Sequence, residues 1–220
     1  MGLGNELKEK MAKRAALEVK ENMIVNLGIG IPSLVPDHLP QGFPVIFQSE
    51  NGIIGIGPAP LEGHEDENLC NAGGFPVSLV EGGCYTDSSI AFAMIRRGKI
   101  DLTILGSLQV SEKGDLANWI IPGKKVPGMG GATELASNAK KVIVLMTHLD
   151  KNGGSKIVRE CTLPLTARRC VSMIITDRAV FSREGDQLIL REIFNPYTLK
   201  DIEETTEASY ILSPDIKFIG

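Results

Sequence analysis

Cysteine is scarce in this chain, and the four present are Cys70, Cys84, Cys161 and Cys170. None forms a Cys-x-x-Cys pair, and His38, His64 and His148 lie far from them and from one another. Metal-ligand spacing is therefore missing. Structural thiols in a reducing, cytoplasmic compartment are the expectation. An excess of positive charge is lacking too. Lys and Arg total 23 against 27 Asp and Glu, a net charge of −4, which argues against nucleic acid as a main partner. An anionic ligand is not excluded, because backbone amides bind phosphate even on an acidic protein. No apolar run approaches the ~18 residues of a membrane span, and charges throughout residues 1–20 fit neither a signal peptide nor a bilayer helix. Repeats, low-complexity tracts and Ser- or Pro-rich linkers are missing as well. The 220 residues, 43% of them hydrophobic, are expected to form one domain spanning residues 1–220.

What the sequence does contain is short apolar runs alternating with amphipathic stretches. Leu7, Met11, Ala15 and Val19 recur every four residues, which predicts a helix over 5–20. A strand over 23–27 then enters Gly28-Ile29-Gly30-Ile31-Pro32, with a short helix through Leu34 and Val35. A strand, a glycine turn and a helix start with proline present backbone N–H groups to an anion. Strands are predicted over 43–47, 76–80, 102–105 and 142–146, and helices over 88–97 (capped by Gly98), 134–139 and 199–208. Beyond residue 151 the pattern is richer in strand, and 173–175 and 188–190 flank Gly185 as a candidate hairpin. Buried apolar runs alternating with helices give the expected fold class: α/β, a mostly parallel open sheet with helices on both faces and a β-rich C-terminal part.

Glu50 is the lead to function. It follows an apolar run and precedes Asn51-Gly52, a pair suited to chain reversal. A lone carboxylate thus stands where a buried strand emerges, the place where open α/β sheets collect ligands. On spacing alone, a solvated acid beside a turn is the other reading. Gly28, Gly30, Gly128 and Gly130 are candidate ligand-binding positions, since glycine amides permit close approach. Tight turns require glycine whatever the ligand.

Gln48-Ser49-Glu50-Asn51-Gly52-Ile53-Ile54-Gly55 resembles the active-site signature of the family I coenzyme A transferases, in the β-subunit form found in 3-oxoacid CoA-transferases. Residues 26–32, Asn71-Ala72-Gly73, 89–98, 114–123, 127–132 and 161–166 resemble the family in the same order, over nearly the whole chain. The resemblance implies a CoA-transferase, with Glu50 as a nucleophile that forms an acyl anhydride and then a glutamyl-CoA thioester. It implies Asn26 and Gly131 beside the CoA-bearing substrate. It implies no permanently bound cofactor and no metal, with coenzyme A passing as substrate. Succinyl-CoA and acetoacetate are the leading substrates. It further implies a separate α subunit, in a heterodimer or an α2β2 assembly, with the active site at the interface.

One departure stands out. Some family members carry lysine after Asn-Ala-Gly, where this chain has Gly74, and Lys124 and Lys125 are substitutes for that contact or else a solvated pair. A noncatalytic CoA- or phospho-ligand sensor on the same scaffold and a sugar-phosphate isomerase using Glu50 as a base are the alternatives, since fold does not fix function.

Overall fold

The computed structural model describes residues 4–123 and 128–220; Lys124, Lys125 and Pro127 lie outside the described residues. In chain order the elements are α1 (Asn5–Ala16), β1 (Ile24–Leu27), a 3-10 helix (Ile31–His38), β2 (Ile46–Ser49), β3 (Ile53–Ile56), β4 (Leu79–Tyr85) and α2 (Ser88–Arg96). Then come β5 (Leu102–Gly106), β6 (Gln109–Ser111), β7 (Leu116–Ala117), α3 (Ala132–Asn138), β8 (Val142–Leu145) and β9 (Ile157–Val158). The C-terminal part adds β10 (Met173–Ile175), β11 (Ala179–Glu184), β12 (Gln187–Phe194), α4 (Leu199–Thr205) and β13 (Ile211–Ile219).

Ten strands form one sheet in the order β13-β12-β11-β10-β8-β5-β1-β2-β3-β4, and β7-β6-β9 form a small second sheet. The centre, β10-β8-β5-β1-β2, is parallel throughout, as the alternation of apolar runs with helices predicts. Both faces are covered. Val25, Leu102, Ile104, Ile143, Leu145, Ile175 and Val180 pack with Met11, Ala12 and Ala15 of α1 and with Val35 of the 3-10 helix. Their strand neighbours Leu105, Val142, Val144, Ile174 and Phe181 pack on the other face with Ile95 of α2, Leu135 of α3 and Ile202 of α4. The period-two division follows from the pleat, and burial on both sides explains why these strands lack polar alternation.

Several elements depart from the sequence pattern. The first helix stops at Ala16 instead of Lys20, because the amides of Leu17, Glu18 and Val19 bond to the carbonyls of Arg14, Ala15 and Ala16, three residues back. Val19 nevertheless stays buried. The strand predicted over 43–47 begins pairing only at Ile46, since Pro44 has no N–H for the ladder. The strand predicted over 76–80 is shifted toward the C-terminus: Pro76 makes an isolated bridge with Cys70, and the ladder begins at Leu79. The strand there is β4, an edge strand whose Glu-Gly-Gly centre gives no apolar signal. The expected hairpin of 173–175 with 188–190 is replaced. Around Gly185 it is β11 that pairs with β12, and β10 lies antiparallel to β11. The last helix closes at Thr205, earlier than Ala208, after a capping box of Thr198 and Asp201.

His148 lies fully buried beyond the end of β8, its Nδ1 3.0 Å from Thr176 Oγ1 and its Nε2 3.0 Å from Thr206 Oγ1. Burial, helped by the nearby charge of Arg178, lowers its pKa from 6.5 to about 4. The unfolded chain therefore takes up a proton near pH 6.5 that the folded chain refuses until about pH 4. Stability falls as pH drops through this window, by about 3 kcal/mol in all, and this group contributes no slope outside it. A His148→Gln variant is expected to lose that share of the acid slope when urea midpoints are followed from pH 7 to pH 4.

Candidate active site

Glu50 immediately follows β2, at the C-terminal edge of the parallel strands. The turn behind it is built around Gly52. That residue has φ +113°, and a Cβ there would lie 2.1 Å from the Thr86 carbonyl oxygen, so only glycine fits. Gly52 N–H donates to the Ser49 carbonyl (3.0 Å), and Thr86 N–H donates to the Gly52 carbonyl (2.8 Å). The segment around Asn71 folds onto the same turn. Asn51 Nδ2 donates to the Cys70 carbonyl (2.8 Å), and Ser49 Oγ accepts from Ala72 N–H (3.1 Å). Asn71 Oδ1 closes its own loop by accepting from Gly73 and Phe75 N–H. Ile29, from the glycine turn after β1, comes close to Gly73. Three sequence blocks that looked separate thus meet around one carboxylate.

The parallel register sets Asn26 beside Gln48 and Thr103 across β2-β1-β5. All three side chains are buried. Asn26 Nδ2 lies 3.1 Å from Glu50 Oε2, 3.1 Å from the Gln48 carbonyl and 3.0 Å from Gln48 Oε1. Asn26 Oδ1, Gln48 Nε2 and Thr103 Oγ1 are buried without hydrogen-bond partners among the described residues. Unpaired buried polar atoms of this kind each cost about 1–3 kcal/mol, and such costs gather where function requires them. On the other side, Gly131 at the start of α3 lies so near Glu50 that a Cβ there would stand 3.0 Å from Cγ and 3.2 Å from both Cδ and Oε1. One carboxylate oxygen is thus held by Asn26 and the other faces the glycine.

The remaining candidate positions behave differently. Gly28 passes against β5, where its N–H donates to the Ile104 carbonyl (2.8 Å) and a Cβ would approach that oxygen to 3.2 Å. Its amide is thereby engaged with the sheet. Gly30 (φ +90°), Gly128 (φ +105°) and Gly130 (φ +54°) have left-handed backbones and open space around them. Gly74 also faces open space. Residues 114–123 and 161–166 brace each other through Thr166 Oγ1 donating to Asn118 Oδ1 (2.6 Å), and Asn118 Nδ2 donates to the Gly106 carbonyl at the end of β5 (3.1 Å). Among the described residues no group of three or more His, Cys, Asp or Glu is arranged to hold a metal ion, and no helix is long and apolar enough to cross a membrane. Gln48 stands in the signature segment, but its role in the site is not legible in the sequence. Its signal is the strand register, which a linear reading does not contain.

The carboxylate is held at the C-terminal edge of an open α/β sheet, between a buried amide and a glycine turn, which is where proteins of this class bind ligands. The family follows from comparison: the coenzyme A transferase family profile matches residues 8–205, and the chain belongs to that family. It is 58% identical over 208 residues to a probable coenzyme A transferase subunit beta of Bacillus subtilis, covering 94% of this chain and 96% of that one. It is 50% identical over 204 residues to a succinyl-CoA:3-ketoacid coenzyme A transferase subunit of Helicobacter pylori, covering 93% and 98%. In fold it resembles the acyl-CoA transferase YdiF of Escherichia coli O157:H7, with a TM-score of 0.78 at 21% identity, covering the whole of this chain and 44% of that longer one.

Proposed function

We propose that this chain is the glutamate-bearing subunit of a CoA-transferase that moves CoA from succinyl-CoA to acetoacetate through a glutamyl-CoA thioester on Glu50. The observation that carries the reading is the Glu50 carboxylate, with Oε2 held by Asn26 and Oε1 beside Gly131. The sequence matches to subunits named for that reaction support it.

A carboxylate is a weak nucleophile in water and a stronger one where water is excluded. Oε1 attacks the acyl thioester carbon, expelling the CoA thiolate and leaving an acyl–glutamyl anhydride. The thiolate attacks the glutamyl carbon. The new C–S bond forms as the bridging C–O bond breaks, and the first acid departs carrying Oε1. Oε2 remains as the thioester carbonyl oxygen. A second carboxylate reverses these steps: it adds to the glutamyl carbon, expels the thiolate, and then loses its own acyl group to that thiolate. Its oxygen stays on Glu50. In each tetrahedral intermediate on the glutamyl carbon, Oε2 carries the developing charge, where the Asn26 N–H donates to it. Coenzyme A is substrate in this cycle, and the chemistry calls for no further cofactor.

The reading includes an α subunit. Ile29, Leu61, Phe75, Val80, Tyr85 and Ile90 are large apolar side chains left exposed on the segments that surround or follow Glu50. Large exposed apolar side chains suit a subunit interface. Incubating the co-purified complex with succinyl-CoA or acetoacetyl-CoA, reducing with borohydride and mapping peptides is expected to show CoA-dependent reduction at Glu50. An unmodified Glu50 in a CoA-binding complex would overturn the thioester mechanism and favour the sensor.

A further inference from the structure

We propose that Gln48 is a positioning residue for Glu50, acting through the carboxamide of Asn26. The proposal rests on the reading of Glu50 as nucleophile. The Asn26 amide nitrogen carries two protons and lies within 3.0–3.1 Å of three oxygens. Two of those oxygens belong to Gln48, its carbonyl and its Oε1. They decide which end of the Asn26 carboxamide faces Glu50. Reversal would set Asn26 Oδ1 against an all-oxygen surface, with the donor turned away from the carboxylate.

Among the described residues no other contact accounts for an amide at position 48. The Gln48 side chain is 2% exposed, its Nε2 is buried without a partner among the described residues, and the hydrogen bond described for its side chain is the one from Asn26. An apolar residue of the same length would fill the position with no unpaired donor. The surplus acceptor also matters through the cycle. Three oxygens for two protons let Asn26 release Oε2 as the glutamyl group moves and fall back on Gln48 Oε1, so the N–H is never stranded in the buried row. It is then aimed correctly when Oε2 next carries charge.

The test uses the co-purified complex carrying Gln48→Met, which keeps side-chain length and removes the acceptor. The crystal structure of the variant complex is expected to show Asn26 Nδ2 shifted from its present position against Glu50 Oε2, because the Gln48 carbonyl is then the one Gln48 oxygen left to hold it. The kcat is expected to fall about tenfold, with KM for the acyl-CoA within about twofold and the melting temperature not lowered. Because Gln48 acts through Asn26, Gln48→Met combined with Asn26→Ala is expected to be no slower than Asn26→Ala alone. Gln48→Glu retains an acceptor and is expected to keep the Asn26–Glu50 contact, which covers the case of a Gln48→Met chain that fails to fold. An unmoved Asn26 in Gln48→Met, a lost contact in Gln48→Glu, or fully additive losses in the double variant would overturn the proposal. The structural outcome does not depend on transfer. A displaced Asn26 in a complex whose wild type moves no CoA would sink the transferase reading and leave the positioning role standing.

Discussion

Glu50→Ala is expected to abolish CoA transfer, lowering kcat by on the order of 10⁴-fold or more, while the complex assembles and melts as the wild type does. The activity loss is large because the carboxylate is itself a covalent partner in the proposed cycle, and removal of a nucleophile forfeits the whole route. The small effect on stability follows from the local bonding. Glu50 is only half-buried, and the hydrogen bond described for its side chain is the one from Asn26 Nδ2. With Glu50 truncated, that nitrogen keeps the Gln48 carbonyl and Oε1 as acceptors for its two protons. No buried donor is stranded, and the change stays within about 1 kcal/mol. Glu50→Asp is expected to be severely impaired too, since losing one methylene moves the reacting oxygens by more than ~1 Å. Rates measured on the assembled complex, alongside a thermal melt, check both variants. Substantial transfer by the alanine variant would remove Glu50 from the chemistry.

The parts of this fold that were legible in sequence are those whose burial is symmetric. Leu102 to Leu105 and Val142 to Leu145 are buried on both faces, so an unbroken apolar run identifies them without any knowledge of their neighbours. β4 and β13 lie at the two edges of the sheet. Most of their residues face solvent, and Gly82-Gly83 in β4 and Pro214 in β13 interrupt the apolar pattern. β11 begins Ala-Val-Phe and ends Ser-Arg-Glu, an apolar start too short to announce a strand of six residues. The site divides along a similar line. Glu50 was legible because its cues are adjacent to it: an apolar run before and Asn-Gly after. The pairing of Asn26 with Gln48 and Thr103 is set by strand register, which joins residues distant in the chain. Gly131 against Glu50 is likewise a tertiary fact, and before the structure only family resemblance pointed to it.

That contact supports the second large effect. Gly131→Ala is expected to leave the fold intact and to lower kcat about 100-fold. The backbone at Gly131, φ −80° and ψ 1°, is open to alanine without strain. Gly131 is the N-cap of α3, where alanine is less favoured than glycine, so the exchange costs up to about 1 kcal/mol, too little to unfold the chain. The new methyl group would meet Glu50 Cγ at 3.0 Å, with Cδ and Oε1 at 3.2 Å. These atoms belong to a side chain that can rotate, so the clash resolves by moving the carboxylate and not by unfolding the turn. The move takes Oε2 off the 3.1 Å hydrogen bond from Asn26 and turns Oε1 out of its approach line. A misplacement of this size falls on the attacking atom itself, so kcat bears the loss while binding of the distant parts of CoA persists and KM changes little. Steady-state kinetics with a melting curve, and a crystal structure of the variant complex, separate the possibilities. A displaced carboxylate with a nearly wild-type melt is the expected result. A lowered melting temperature with kcat unchanged per folded complex would mean that the loop before α3 yields to the methyl group and that Glu50 stays in place.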